Sequence, residues 1–173
     1  MDMLDFETDG LYFDEPLVDE ARQCLDTAAD SYGEDLAENS LLRAYFLEPK
    51  HPMVLVALYR YFYYQHRLTD ALLVADRVLV VFAQRLGLPA DWHELTEMQI
   101  GSGVLVSMAM IRFYMLALKG AGYLELRLGE FESAVARLNK VVELDSKDRL
   151  GAQALLDVAL EACNKPQGLS LPI

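Results

Sequence analysis

The side chains best suited to chemistry in this chain lie around His93. His93-Glu94-Leu95-Thr96-Glu97 begins like a zinc-protease helix, in which two histidines four residues apart hold the metal and the glutamate between activates water. The second ligand position is Glu97, so the histidine pair is incomplete. His51 and His66 fall in other elements, and no paired-ligand spacing points to a metal site. Gly101-Ser102-Gly103 and Gly120-Ala121-Gly122 follow helical segments, not strands, so neither fits a dinucleotide-binding turn. No Gly-x-Ser-x-Gly elbow and no phosphate loop occurs. Cys24 and Cys163 are far apart without redox or metal spacing and are expected to be reduced core thiols. The expectation is a protein that is not an enzyme and uses no cofactor and no metal. The alternative is an enzyme or small-ligand-binding protein with a pocket near His93 and Glu94.

Charge narrows the partner. Net charge is −12, and residues 1–50 carry 14 acids and 3 bases, leaving the other residues nearly balanced. Nothing resembles the basic footprint that neutralises phosphates, so no nucleic acid is expected. The stretch Val104 to Leu118 is the most apolar, but it is 15 residues long and contains Arg112. A membrane span needs about 20 residues. Met1 to Asp5 lacks the basic and apolar regions of a signal peptide. Together these predict no membrane partner and a soluble, cytoplasmic protein.

The elements that must position any site read as helices. Hydrophobic content is 53%, prolines number six, and β-branched alternation is scarce. Residues 1–13 mix acids and apolar side chains without helical period and read as an extended arm. Asp14 and Pro16 predict a first helix to about Ser31, and Tyr32-Gly33 a turn. A second helix is expected over Glu34–Leu47, a third over Pro52–His66, and a fourth from Thr69 to the stop at Gly87. Asp91 is expected to cap a short helix from Trp92 to about Ile100. Gly101-Ser102-Gly103 marks a break or kink before one long helix over Val104–Leu128. Glu130–Leu144 and Lys147–Cys163 complete the set, with a tail over 164–173.

These helices are not independent of one another. Ala37 and Ala71 lie 34 residues apart, and their surroundings correspond: Leu25, Ala28, Ala37, Leu41, Ala44 against Tyr59, Phe62, Ala71, Ala75, Val78. A third copy runs Gly122, Gly129, Phe131, Ala134, Leu138, Val141 and ends in Leu144-Asp145-Ser146. A helix pair of that period buries its apolar face only by stacking on a neighbour. Ala134 falls 63 residues after Ala71, so about 29 residues, roughly 82–112, are inserted between the second and third copies.

The pattern Gly/Ala, Tyr, Gly, Phe, Ala, then Leu-Asp-Pro at this spacing resembles the tetratricopeptide repeat. The best copy is Gly122-x6-Gly129-Glu130-Phe131-x2-Ala134-x3-Leu138-x2-Val141, ending in Leu144-Asp145-Ser146. The first copy matches through Gly33, Ala37, Ala44 and Leu47-Glu48-Pro49; the second keeps Leu68 and Ala71 but places His66 where a small residue is usual. The resemblance implies an all-α helix-turn-helix repeat solenoid over 14–163. Its repeats would cover about 18–51, 52–85 and 115–148, with a helical insertion at 82–112 and a capping helix at 149–163.

That family binds peptides on a concave face lined by the first helix of each pair. The register implies groove positions at Arg22, Asp26, Arg60, Tyr63, Tyr64, Lys119, Tyr123, Arg127 and Gln153. Bases beside tyrosines suit an extended peptide carrying a carboxylate. The implied function is a scaffold, adaptor or assembly chaperone whose partner is another protein or peptide. The chaperone-tail clamp of the family uses asparagines and lysines, whereas the corresponding positions here hold Asp26, Ala57, Leu116 and Gly120. A small acidic secretion-type chaperone is the narrower alternative, though those proteins stack their repeats without an insertion.

The insertion adds one expectation. The helix after Gly103 is apolar nearly all round and must be covered on more than one side, by the insertion or by a second chain. A homodimer would then use Trp92, Val104, Met108, Ile111 and Met115. The arm, through Leu11-Tyr12-Phe13, and the tail, through Leu169-Ser170-Leu171, are candidate ligands for the groove.

Overall fold

The computed structural model describes residues 15–164; the arm, the Asp14 cap and the tail beyond Asn164 lie outside the described residues. Among the described residues regular structure is entirely helical. The helices are α1 (Asp19–Asp30), α2 (Asp35–Leu47), α3 (Pro52–Tyr64), α4 (Leu68–Leu86), α5 (Glu97–Val106), α6 (Met108–Leu128), α7 (Phe131–Leu144) and α8 (Gln153–Asn164), with a 3-10 turn at Trp92–Glu94 before α5. Neighbours in sequence are neighbours in space. α1 packs on α2, α2 on α3, α3 on α4, α6 on α7 and α7 on α8, while α4 meets α6 directly and α5 lies against α6. No helix among the described residues is long and apolar enough to cross a membrane.

Local chemistry sets where these helices stop. α3, α4 and α6 are each followed by a left-handed residue: His66 (φ 57°), Gly87 (φ 66°) and Gly129 (φ 83°). In each case the next N–H bonds back to a carbonyl of the last turn, Arg67 to Phe62, Leu88 to Ala83 and Glu130 to Glu125, all at 2.9 Å. This closure satisfies carbonyls that a helix end would otherwise strand. Small residues then allow close pairing. Ala37, Ala71 and Ala134 are fully buried near the starts of α2, α4 and α7. At Gly122 a Cβ would lie 2.9 Å from Leu138 Cγ, so α6 and α7 approach as closely as they do only because that atom is missing.

One main core runs through α1–α7, with Tyr59, Phe82, Tyr114, Leu55 and Leu118 sealed from solvent. Phe82 of α4 meets Phe113 of α6 edge-on at 4.9 Å. Phe113 to Gly122 is buried at every position, so the middle of α6 is enclosed by the chain's own helices.

Five sequence expectations need correction. α1 begins at Asp19, not near Asp14, because Pro16 disfavours helix in Glu15 and Leu17 is drawn into a cluster with Ala21, Ala44 and Val54. α3 ends two residues before His66, at Tyr64. The expected helix over Trp92–Ile100 is divided: Asp91 caps only the 3-10 turn, Leu95 is extended and buried, and Thr96 with Gln99 forms a reciprocal capping box that starts α5. Gly101 to Gly103 lie inside α5, and the break comes at Ser107 (φ −163°, ψ 112°), whose Oγ accepts from Met110 N–H at 3.2 Å. Gly103 serves packing instead, since a Cβ there would run into the Ile111 side chain. The last helix starts at Gln153, not Lys147, because Asp145 and Asp148 side chains accept from Leu150, Ala152 and Gln153 N–H groups and hold 145–152 as a turn. The thiols also differ from expectation: both are free, but Cys24 is half-buried and Cys163 is exposed.

Candidate functional site

α3 and α6 bring five of the sequence-derived groove residues together. Positions four apart on a helix share a face, which stacks Tyr63 on Tyr59 with centroids 6.0 Å apart and ring planes within 9°. Tyr64 meets Tyr63 edge-on at 5.4 Å, and the Arg60 guanidinium lies 5.9 Å from the Tyr64 ring. Across the helix pair, Tyr123 of α6 faces Tyr63 at 6.4 Å. Arg127, one turn along α6, donates to the Tyr123 hydroxyl at 2.9 Å and sits 5.9 Å from its ring.

The two phenols divide donor and acceptor roles. Burial, reinforced by the hydrogen bond to Tyr123, pushes the Tyr63 hydroxyl up to about 12. Burial also opposes ionisation of Tyr123, but hydrogen bonds from Tyr63 and Arg127 outweigh it and bring its titration below the ordinary tyrosine value. Tyr63 is therefore a neutral donor near neutrality, and Tyr123 an acceptor held between two donors.

A cleft of about 550 Å³ opens beside this row. Its walls are Leu25, Ala28, Ala29 and Tyr32 on the α1 side, Leu41 of α2, and Ala57, Arg60, Tyr61 and Tyr64 of α3. Tyr32 closes the end of α1 onto Tyr61 edge-on at 6.0 Å. The cleft is apolar at its floor, aromatic along one wall and cationic at one edge. Rigid rings contribute contact area at low entropic cost, and a guanidinium at the edge suits a carboxylate.

The other four groove positions do not join this row. Arg22 and Asp26 are exposed on α1 outside the cleft lining. Lys119 is buried and its amine donates to the Leu150 carbonyl, so it fastens the turn before α8. Gln153 is exposed and donates to Asp157 of its own helix at 2.9 Å. The residues assigned to a dimer contact also divide. Ile111 and Met115 are buried in the core and Trp92 and Val104 are half-buried, while Met108 is 63% exposed. The exposed apolar surface here is instead Met98 (80%), Leu105 (89%), Val106 (63%) and Met108.

Around His93 neighbouring side chains engage one another. His93 stacks on Trp92 at 3.6 Å and its Nδ1 lies 2.6 Å from Asp91 Oδ1. The Asp91 carboxyl is held below its usual value by the His93 backbone N–H and then by the ring. Among the described residues no group of three or more His, Cys, Asp or Glu is placed to hold a metal ion.

Sequence reasoning passed over a charged junction behind this turn. Arg137 of α7 pairs with Glu125 of α6 and Asp76 of α4, each at 2.8 Å, and its guanidinium lies 5.3 Å from the Trp92 ring. Burial raises the Glu125 carboxyl, with Arg137 pulling the other way. Lys140 donates to the Leu95 carbonyl at 3.3 Å, so α7 holds residues 92–95 at two points. The available signal was Glu125, a carboxylate amid the apolar positions of α6.

No protein-family model and no solved structure matches the chain. It is 50% identical over 161 residues to the uncharacterized 19.8 kDa protein in the nifW 5′ region of Azotobacter chroococcum mcd 1, covering 93% of this chain and 90% of that protein. The chain belongs to the same family as that protein.

Proposed function

We propose that this chain is a non-catalytic protein-interaction module of tetratricopeptide type, which binds a peptide segment of another protein along the face formed by α1, α3 and α6. The observation carrying the proposal is the continuous row Arg60–Tyr64–Tyr63–Tyr123–Arg127 beside an apolar cleft. The repeat reading is supported by three buried alanines, Ala37, Ala71 and Ala134, each donating its N–H to the residue preceding its helix, Glu34, Arg67 and Glu130, at 3.0 Å. The segment between α4 and α6 is the inserted part. Adaptor or assembly chaperone is the role that suits such a surface.

The test is partner capture with the full chain and with Arg60, Tyr64 and Arg127 replaced together by alanine. Because the relative lies 5′ of nifW, the nifW product is the first bait. Loss of binding in the triple variant, with an unchanged circular dichroism spectrum, is the expected result; full retention refutes the groove. A second contact follows from Met98, Leu105, Val106 and Met108, four uncharged exposed side chains on and beside α5, for which a second copy of this chain is the proposed partner.

A further inference from the structure

We infer that the cleft between α1 and α3 is a docking site for the chain's own segment 1–14, which acts as a built-in competitor of the external peptide; this rests on the peptide-groove reading above. Glu15 is anchored at two points: its carbonyl accepts from His51 Nε2 at 3.3 Å, and its carboxylate receives Arg85. His51 caps α3, so the preceding residues leave from the N-terminal end of that helix. α1, which forms the other wall, starts four residues later at Asp19, and Leu17 and Ala21 pack on Val54 of α3. The starts of the two walls are thus joined in one buried cluster beside Glu15, the first described residue.

Distances match along this track. Ala57 and Arg60 lie roughly 8 and 12 Å along α3 from its first residue, at 1.5 Å per residue. An extended chain covers about 3.3 Å per residue, so Leu11-Tyr12-Phe13 falls opposite Ala57 and Arg60, and Glu7 and Asp9 beyond them. Fourteen residues far exceed the length the cleft requires.

Chemistry matches as well. Segment 1–14 has five acids, no Lys or Arg, and the apolar side chains Met3, Leu4, Phe6, Leu11, Tyr12 and Phe13. The cleft has an apolar floor, an aromatic wall and Arg60 at its edge, with Arg127 further along the same face. Asp26 and Asp30 stand exposed on α1, which turns the acids of the segment towards the α3 and α6 side. An uncharged peptide of equal length would gain the apolar contacts but not the guanidinium pairing.

The test uses the full chain with Cys24→Ser and Cys163→Ser, and a nitroxide attached through Thr8→Cys. Docking predicts broadening of the Ala28, Ala29 and Ala57 methyl resonances at least several-fold greater than that of Ala134 and Ala159, and loss of that contrast when Arg60→Glu is added. Uniform or absent broadening overturns the inference. Broadening between chains, seen by mixing spin-labelled with isotope-labelled protein, overturns docking in cis. As a second readout, a fluorescein-labelled peptide of residues 1–14 should bind a Leu11→Ser/Tyr12→Ser/Phe13→Ser chain at least tenfold more tightly than the wild-type chain; equal affinity overturns competition. If docking fails while the alanine triple variant still loses the nifW product, only this inference falls. If docking holds while that variant keeps its partner, the groove reading falls.

Discussion

At the scale of single residues, backbone conformation and buried charge carry the predictions. His66 occupies the left-handed region that glycine takes after α4 and α6, at a position exposed to solvent. An L-residue pays roughly 1–2 kcal/mol there. His66→Gly should therefore raise stability by about 1 kcal/mol, readable as a higher urea midpoint with an unchanged slope. Arg137 is the opposite case. Removing it leaves the Glu125 carboxylate buried without a cation, and Arg137→Ala should cost about 3–5 kcal/mol at neutral pH. Glu125 titrates above its ordinary value because it is buried. A bound proton thus favours the folded state, and that contribution is lost as pH rises through the folded value. The deficit of Arg137→Ala should accordingly shrink as pH falls from 7 towards 5, measured by denaturation at both values. A constant deficit would place the cost in lost packing on Trp92 instead.

At the scale of elements, breaks and close approaches decide the arrangement. Ser107 closes α5 through its backbone N–H, which donates to the Gly103 carbonyl, and caps α6 through its hydroxyl. Ser107→Ala should destabilise by about 1 kcal/mol, with hydrogen exchange accelerated first at Met110 and its neighbours. Gly122 shows where α6 and α7 touch. Gly122→Ala places a carbon against Leu138, and a cost of about 1–3 kcal/mol is expected from thermal unfolding. The helices were legible in sequence because apolar spacing and Gly/Pro punctuation act over a few residues. The break at Ser107 was not, since a serine marks a helix start only where its hydroxyl meets the next helix's N–H groups, and Gly101 and Gly103 nearby offered the stronger local signal. Gly103 shows the reverse error: its value lies in the approach of Ile111, a contact eight residues away that composition does not reveal.

At the scale of the whole molecule, the face formed by α1, α3 and α6 and the surface of α5 are separate candidates for binding. The α5 patch carries a prediction of its own. Sedimentation should depend on protein concentration in the micromolar range, and Leu105→Asp with Met108→Asp should abolish that dependence without loss of helix. A monomer at all concentrations would remove the second copy as the occupant. Neither substitution touches the Arg60–Tyr123 row, so peptide binding should survive in the same variant.

The sequence by itself determined the helical class and most helix positions. Each depends on periods of three to four residues or on repeated spacing, which the chain states directly. The resemblance implied nine groove positions, and only the tertiary structure selected the five that form the aromatic and cationic row. Lys119 left it for the Leu150 carbonyl, Arg137 joined Glu125 and Asp76, and Ile111 and Met115 went into the core instead of an interface. A long side chain on a helix can serve either of two neighbouring surfaces, and the packing of α6 between α4 and α7 determines which one it meets.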